Sequence, residues 1–400
     1  MRSRLLPVFV LAASVAVAVA IPAGDGLYAV FQTSRGEFTA ALEFEKVPVT
    51  AANFVGLAEG TRAWVDPATG TVRSAPYYNG LTFHRIIPGF MAQSGSRNGL
   101  GTDGPGYTFG DEFHSTLVHD SAGVLSMANS GENSNGAQFF ITLAPTTWLD
   151  RKHSVFGRIV EGMDIVNAIG ATGTPGGAPT DPTTINSVTI VRNGAAAQSF
   201  DAAAVAGLPV VREAPAVLKR SGAAFAIEIP REPFMQHHFA NSANLGSWSR
   251  LGSLDDLAAA GSPSVDITAT AAGKSREFYR VAACSYTPRP AYLVGKSIAL
   301  NLTSGNQTLR LNITSPEGYD PGLSFGTYSL DGAAESNVDG YFINHSLPSL
   351  HLDVALKDFP SLSFALHFQS ENAGWFTSQY YGATDGYWPF FGTFTITPAP

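Results

Sequence analysis

Beyond residue 24 the apolar residues of this chain come in short runs, cut off from one another by glycine, asparagine and proline. Runs at 81–87, 123–128, 138–143 and 155–160 fit strands and are too short for helices of three turns. Before them the alternation is regular. Tyr28, Val30 and Gln32 oppose Ala29 and Phe31, and then Phe38, Ala40, Leu42 and Phe44 share one face. This rhythm predicts an antiparallel barrel. Two helices interrupt it: one opening at Thr50 as N-cap and closing at Gly60, and one starting near Gly162 that buries Met163, Val166 and Ile169. A closing strand is expected over 184–192.

The first twenty residues read differently. Arg2 and Arg4 precede an apolar run that ends in Ala18-Val19-Ala20, the pattern of a removable secretion signal (1–20), so the expected location is exported. No later stretch has the roughly 18 to 20 apolar residues that a membrane helix needs, so no span is expected once the signal is gone. The net charge is −8 without any Lys/Arg run, which argues against a nucleic-acid partner. Cys284 is the only cysteine, so neither an intrachain disulfide framework nor a thiolate metal cage is available.

A second constraint lies in the order of five blocks. Residues 83–93 read FHRIIPGFMAQ, 104–107 GPGY, 125–131 LSMANSG, 135–141 NGAQFFI and 148–150 WLD, with His153 and then Val155-Phe156-Gly157. In order and spacing the segment 27–192 resembles the cyclophilins. The resemblance implies a closed eight-stranded antiparallel β-barrel capped by two helices, and an enzyme that speeds cis/trans rotation of peptide bonds preceding proline. It departs from the usual pattern at Ser94, Ser130 and Glu132, and in a longer loop over 61–76.

The barrier to that rotation is about 18–20 kcal/mol, because the amide C–N bond is partly double. In the twisted transition state the proline nitrogen becomes a better hydrogen-bond acceptor than in either planar form. A donor aimed there therefore binds the transition state preferentially. Arg85, permanently charged and rich in donors, is the candidate. By resemblance, Phe90, Met91, Phe140 and Leu149 line an apolar slot for the proline ring, with His153 at its edge. Gln93 orients Arg85; Ala128 and Asn129 hold the preceding residue through the main chain, with Gln138 nearby and Trp148 on the rim. The catalytic set is thus Arg85, Phe90, Gln93, Phe140 and His153, and the substrate-binding set Met91, Ala128, Asn129, Gln138, Trp148 and Leu149. No metal and no cofactor are called for. Proline-containing peptides or unfolded proteins are the expected partners, and Trp148 adds the inhibitor cyclosporin.

The isomerase unit is placed at 24–193. An Ala-rich stretch with scattered prolines, 194–216, reads as a linker. Beyond it the chain is mainly β: a small unit over 217–288 and a larger one over 289–400, both sandwich-like. Three patterns are set aside. Gly99 to Gly104 matches a dinucleotide loop, but Pro105 follows where a helix would open. Gly322 to Gly326 matches a nucleophile elbow in β-rich surroundings. Adjacent His237 and His238 point in different directions, and no acidic or thiol partner lies close in sequence. The rival reading is a peptide-binding or adhesion protein that uses the barrel as scaffold, with the C-terminal units as its working part.

Overall fold

The computed structural model describes residues 24–229, 235–256, 264–274, 276–287, 293–302, 307–314, 318–319, 326–331, 333, 336–345, 349–356, 362–380 and 391–399. The expected signal segment 1–20 and the 322–325 part of the elbow pattern lie outside them. Among the described residues no helix is long and apolar enough to cross a membrane.

Eight strands form the N-terminal sheet: β1 (Gly26–Thr33), β2 (Gly36–Leu42), β3 (Arg85–Ile87), β4 (Met91–Ser94), β5 (Val124–Met127), β6 (Phe139–Thr142), β7 (Val155–Glu161) and β8 (Ile185–Asn193). All pairings are antiparallel, in the order β8-β1-β2-β7-β5-β6-β4-β3. The alternation over 27–44 indeed becomes a hairpin, with Phe31 opposite Phe38 and their rings stacked at 4.6 Å.

The expected closed barrel is corrected here: the sheet is open, a half-barrel with β3 and β8 at its edges. The reason lies in what satisfies β3. Ile86 donates its N–H to the Gly177 carbonyl and accepts from Thr174 N–H, so a loop, not a strand, covers that edge. Across the gap there is one bridge, Thr82 to Thr184, with backbone bonds from Phe83 N to Thr183 O and from Ile185 N to Leu81 O.

Two longer helices accompany the sheet. The first, α1 (Pro48–Glu59), starts two residues before Thr50, with proline in its first turn, where the missing N–H costs nothing. Thr50 is not its cap. The buried Glu112 carboxylate performs that task from 62 residues away, accepting from the Val49 and Thr50 amides and the Thr50 hydroxyl. Gly60 ends the helix in the left-handed region, φ 74°. The second, α2 (Met163–Gly170), buries Val166 and Ile169 as its spacing predicts, while Met163 is only half-buried at its start. Phe54 of α1 stacks on Tyr78 and meets Phe139 edge-on, tying helix and sheet into one aromatic core.

The stretch 194–216, expected to be a linker, is built into the structure. It contains α3 (Ala195–Ser199), the buried Ala197, Ala202 and Leu208, and a strand, Val210–Glu213. That strand joins Phe278–Ser285, Met235–Ser242 and Ser249–Asp256 in a four-stranded sheet. A three-stranded sheet (Val217–Ser221, Ala224–Glu228, Ser264–Asp266) lies beside it in sequence. The C-terminal unit, expected to be sandwich-like, is instead one nine-stranded antiparallel sheet: Ser336–His345 also pairs with Leu350–Leu356, so eight of its strands close into a ring around Leu300, Leu311, Leu352 and Phe376.

These additions are not beads on a string. Ala282, Cys284, Tyr286 and Trp375 belong to the same buried cluster as the β1–β8 core. Trp375 donates its indole N–H to the Asp111 carbonyl at 2.7 Å.

Candidate active site

The register of four neighbouring strands builds the site. Arg85 of β3 stands opposite Gln93 of β4, Gln93 opposite Phe140 of β6, and Phe140 opposite Ser126 of β5. Residues directly opposed in antiparallel strands share a face. Four positions spread between residues 85 and 140 therefore become one row across the sheet.

A relay of amides fixes the charged end of the row. The Arg85 guanidinium donates to Gln93 Oε1 at 3.2 Å, and Gln93 Nε2 donates to Gln138 Oε1 at 3.0 Å. Gln138 Nε2 in turn donates to the carbonyls of Gly101, at 3.1 Å, and Asp103, at 2.8 Å. Each amide has only one orientation that satisfies its neighbours, so the direction of donation is set along the chain. Gly177, at φ +88°, passes so close that a Cβ there would stand 3.2 Å from Arg85 Cγ. The loop edging β3 thus confines the stem of the arginine, while its head remains exposed.

The apolar end is assembled from three segments. Met91 and Phe140 are buried, Phe90 is half-buried, and the Phe90 and Trp148 rings lie 6.0 Å apart and nearly parallel. Trp148 is 59% exposed on the 3-10 turn Thr147–Leu149, as a rim position requires, and Leu149 is half-buried beside it. His153 meets the Phe140 ring edge-on at 5.6 Å. The Ala128 amide is bonded to the Gln138 carbonyl, which leaves the Ala128 carbonyl for main-chain contact. Asn129 is held by a bond from its side-chain amide to the Lys152 carbonyl.

Behind Phe140 stands a group that the sequence did not single out. His119 is buried, stacks on Phe140 at 5.9 Å, and bonds Asp150 Oδ1 at 2.8 Å and Ser126 Oγ at 3.0 Å. Burial lowers its pKa against the opposing pull of Asp150, so the ring is neutral. Its Nδ1–H then donates to Asp150 and its Nε2 accepts from Ser126. Nothing local marks His119 as different from any buried histidine; only its contact with Phe140 does. His153 is likewise held neutral by burial, opposed by the bond from its Nδ1–H to the Met127 carbonyl.

The hydroxyl of Ser126, bonded to His119, is buried, and the accessible elements of the arrangement are an exposed cationic donor, a cluster of apolar side chains and main-chain acceptors. Residues 28–190 match the family model described as cyclophilin type peptidyl-prolyl cis-trans isomerase/CLD. The peptidyl-prolyl cis-trans isomerase A of Mycobacterium tuberculosis is 46% identical over 165 residues, 40% of this chain and 91% of that protein. The chain belongs to the cyclophilin family. The isomerase B of Streptomyces anulatus is also 46% identical, over 162 residues and 89% of its length. A crystal structure of a Cryptosporidium parvum cyclophilin, in the presence of the dipeptide Ala-Pro, is 28% identical, with a TM-score of 0.36, covering 42% of this chain and 99% of that one. The cyclophilin match ends at residue 190.

Proposed function

We propose that this cyclophilin accelerates rotation about Xaa-Pro bonds in exported, unfolded or proline-containing polypeptides, with Arg85 as the group that favours the twisted amide. The proline ring enters the slot of Phe90, Met91, Phe140 and Leu149, with His153 at its edge. The preceding residue is held along Ala128 and Asn129. Rotation then proceeds about an anchored bond, and the guanidinium donates to the proline nitrogen as its resonance is lost. Such a donor is present before the reaction and needs no reorganisation during it. No cofactor enters.

The observation that carries this reading is the row Arg85, Gln93, Phe140, in which Gln93 holds the cation and stands opposite Phe140. A protease-coupled assay on an Xaa-Pro peptide tests it. Arg85→Ala is expected to lower kcat/KM about 10²–10³-fold, the usual effect of removing one donor aimed at developing charge. Undiminished turnover in that variant removes the arginine from the mechanism. Export rests on the signal-like residues 1–20. Mass spectrometry of protein from the exported fraction of the source cells should find a chain beginning just after Ala20.

A further inference from the structure

Beside Gln93 and Ala128 runs a groove of about 430 Å³. Its barrel side is made of Gln93, the 101–108 segment, Ala128, Asn129 and Gln138. Its other side comes from the appended four-stranded sheet: Gln236, His238 and Arg250. A relative of which 165 residues make up 91% has no room for such a wall.

The wall is fastened to the groove it lines. The His238 Nε2–H donates to the Gly106 carbonyl at 2.6 Å, Cys284 Sγ reaches the same carbonyl at 3.2 Å, and Thr108 N–H donates to the Tyr286 hydroxyl at 3.2 Å. The long 61–76 loop is the second fastening. Arg62 donates to the Pro209 carbonyl, Arg250 N–H donates to the Ala68 carbonyl, and a Cβ on Gly70 would sit 3.1 Å from the Ala240 Cβ. The loop that departs from the minimal pattern is therefore where the added sheet docks.

The charges of the groove are unequal. Asp103 is occupied, accepting from Ser96 Oγ, Arg97 N and Asn98 N at 2.7–3.0 Å. Asp66, close by on the loop, pairs with Arg73 at 3.2 Å. Arg250 is exposed, and among the described residues its guanidinium has neither an ion-pair nor a hydrogen-bond partner. The groove leaves the slot on the Ala128–Asn129 side, so an extended peptide with its proline seated would lay the residues before the Xaa-Pro pair along it.

We propose that Arg250 makes the appended sheet a specificity wall, selecting Xaa-Pro substrates that carry a carboxylate two or three residues before the proline. The inference rests on the isomerase reading above. An extended chain advances about 3.3 Å per residue, so two or three residues carry a side chain about 7–10 Å from the proline, along the groove. An exposed ion pair is worth little, and a Glu-for-Lys exchange counts attraction and repulsion together, so a contrast of about three- to tenfold is expected.

The test uses the full chain and three peptide sets, with Glu, Ala or Lys placed before the Xaa-Pro pair, and a matched set with the same residues after the proline. Wild type should turn over the upstream Glu peptides with a kcat/KM about three- to tenfold above the Lys peptides, mainly through KM. Arg250→Glu should reverse that ratio, and Lys219→Glu, the same charge change on the three-stranded sheet, should leave it as in wild type. A ratio near one in wild type, a ratio unchanged by Arg250→Glu, or an equal preference at downstream positions would overturn the proposal. Acceleration of the Ala peptide separates the two levels: without it the isomerase reading fails, and with it but no charge contrast only the wall fails.

Discussion

Replacing Gln138 with leucine removes the middle of the amide relay while nearly conserving volume. Three hydrogen bonds go, at 3.0, 3.1 and 2.8 Å, leaving Gln93 Nε2 and the carbonyls of Gly101 and Asp103 without their partner. At about 1 kcal/mol net for each bond, the loss would reach roughly 3 kcal/mol in a sealed interior. Gln138 is half-buried and lines a groove, so water replaces part of it, and a fall of about 1–2 kcal/mol in urea-unfolding stability is expected. The catalytic effect is separate. Freed from a braced Gln93, Arg85 regains some of the roughly 2 kcal/mol of rotamer entropy that its placement had removed. That corresponds to as much as about a 30-fold drop in kcat/KM. A double-mutant cycle in the protease-coupled assay decides the route. If Gln138 acts through Arg85, the pair Arg85→Ala, Gln138→Leu should be about as slow as Arg85→Ala alone. If Gln138→Leu costs the same factor in both backgrounds, it contacts substrate directly and the relay argument is refuted.

Other outcomes follow from single contacts. Trp375→Phe leaves the buried Asp111 carbonyl without its donor, which should cost about 1–3 kcal/mol and lower the Tm of the isomerase core itself; an unchanged core Tm would show that the C-terminal sheet contributes nothing there. Burial raises the Glu112 carboxyl to about 7, against an ordinary 4.5, so the folded state takes up a proton that the unfolded state refuses in that window, and stability should rise as pH falls through it. Relative to Glu112→Gln, wild type should gain on the order of 0.8 kcal/mol between pH 8 and pH 6.5, measured by urea unfolding; parallel curves would contradict this. Calorimetry should detect cyclosporin binding to the full chain and weakened binding to Trp148→Ala, since the exposed indole beside Phe90 offers a flat apolar surface at the rim.

The hairpin over 27–44 and both long helices were legible because they are local patterns, and the residues named by resemblance come together because their blocks keep a fixed order. Thr50 was misplaced as a cap because its true partner, Glu112, lies 62 residues away and no local rule reaches that far. The barrel seam was misread for a similar reason: whether β3 meets a strand or a loop depends on where Gly177 returns, which periodicity does not encode. His119 stayed invisible because its meaning is one stacking contact on Phe140. Arg250 was silent too, since an arginine on a strand of an unrecognised unit looks like any surface charge until the fold brings it 157 positions back to Gln93.

The interior formed by Tyr78 and Phe139 also includes Tyr286 and Trp375, the latter some 180 residues beyond the end of β8. At ribosomal rates of about 5–20 residues per second, the catalytic half waits roughly 10–40 s for the last side chain of its own interior. That interval is comparable with spontaneous turnover of a single prolyl bond. Until then the interior around Tyr78 and Phe139 lacks two of its aromatic side chains, so its final packing is timed by the downstream sequence.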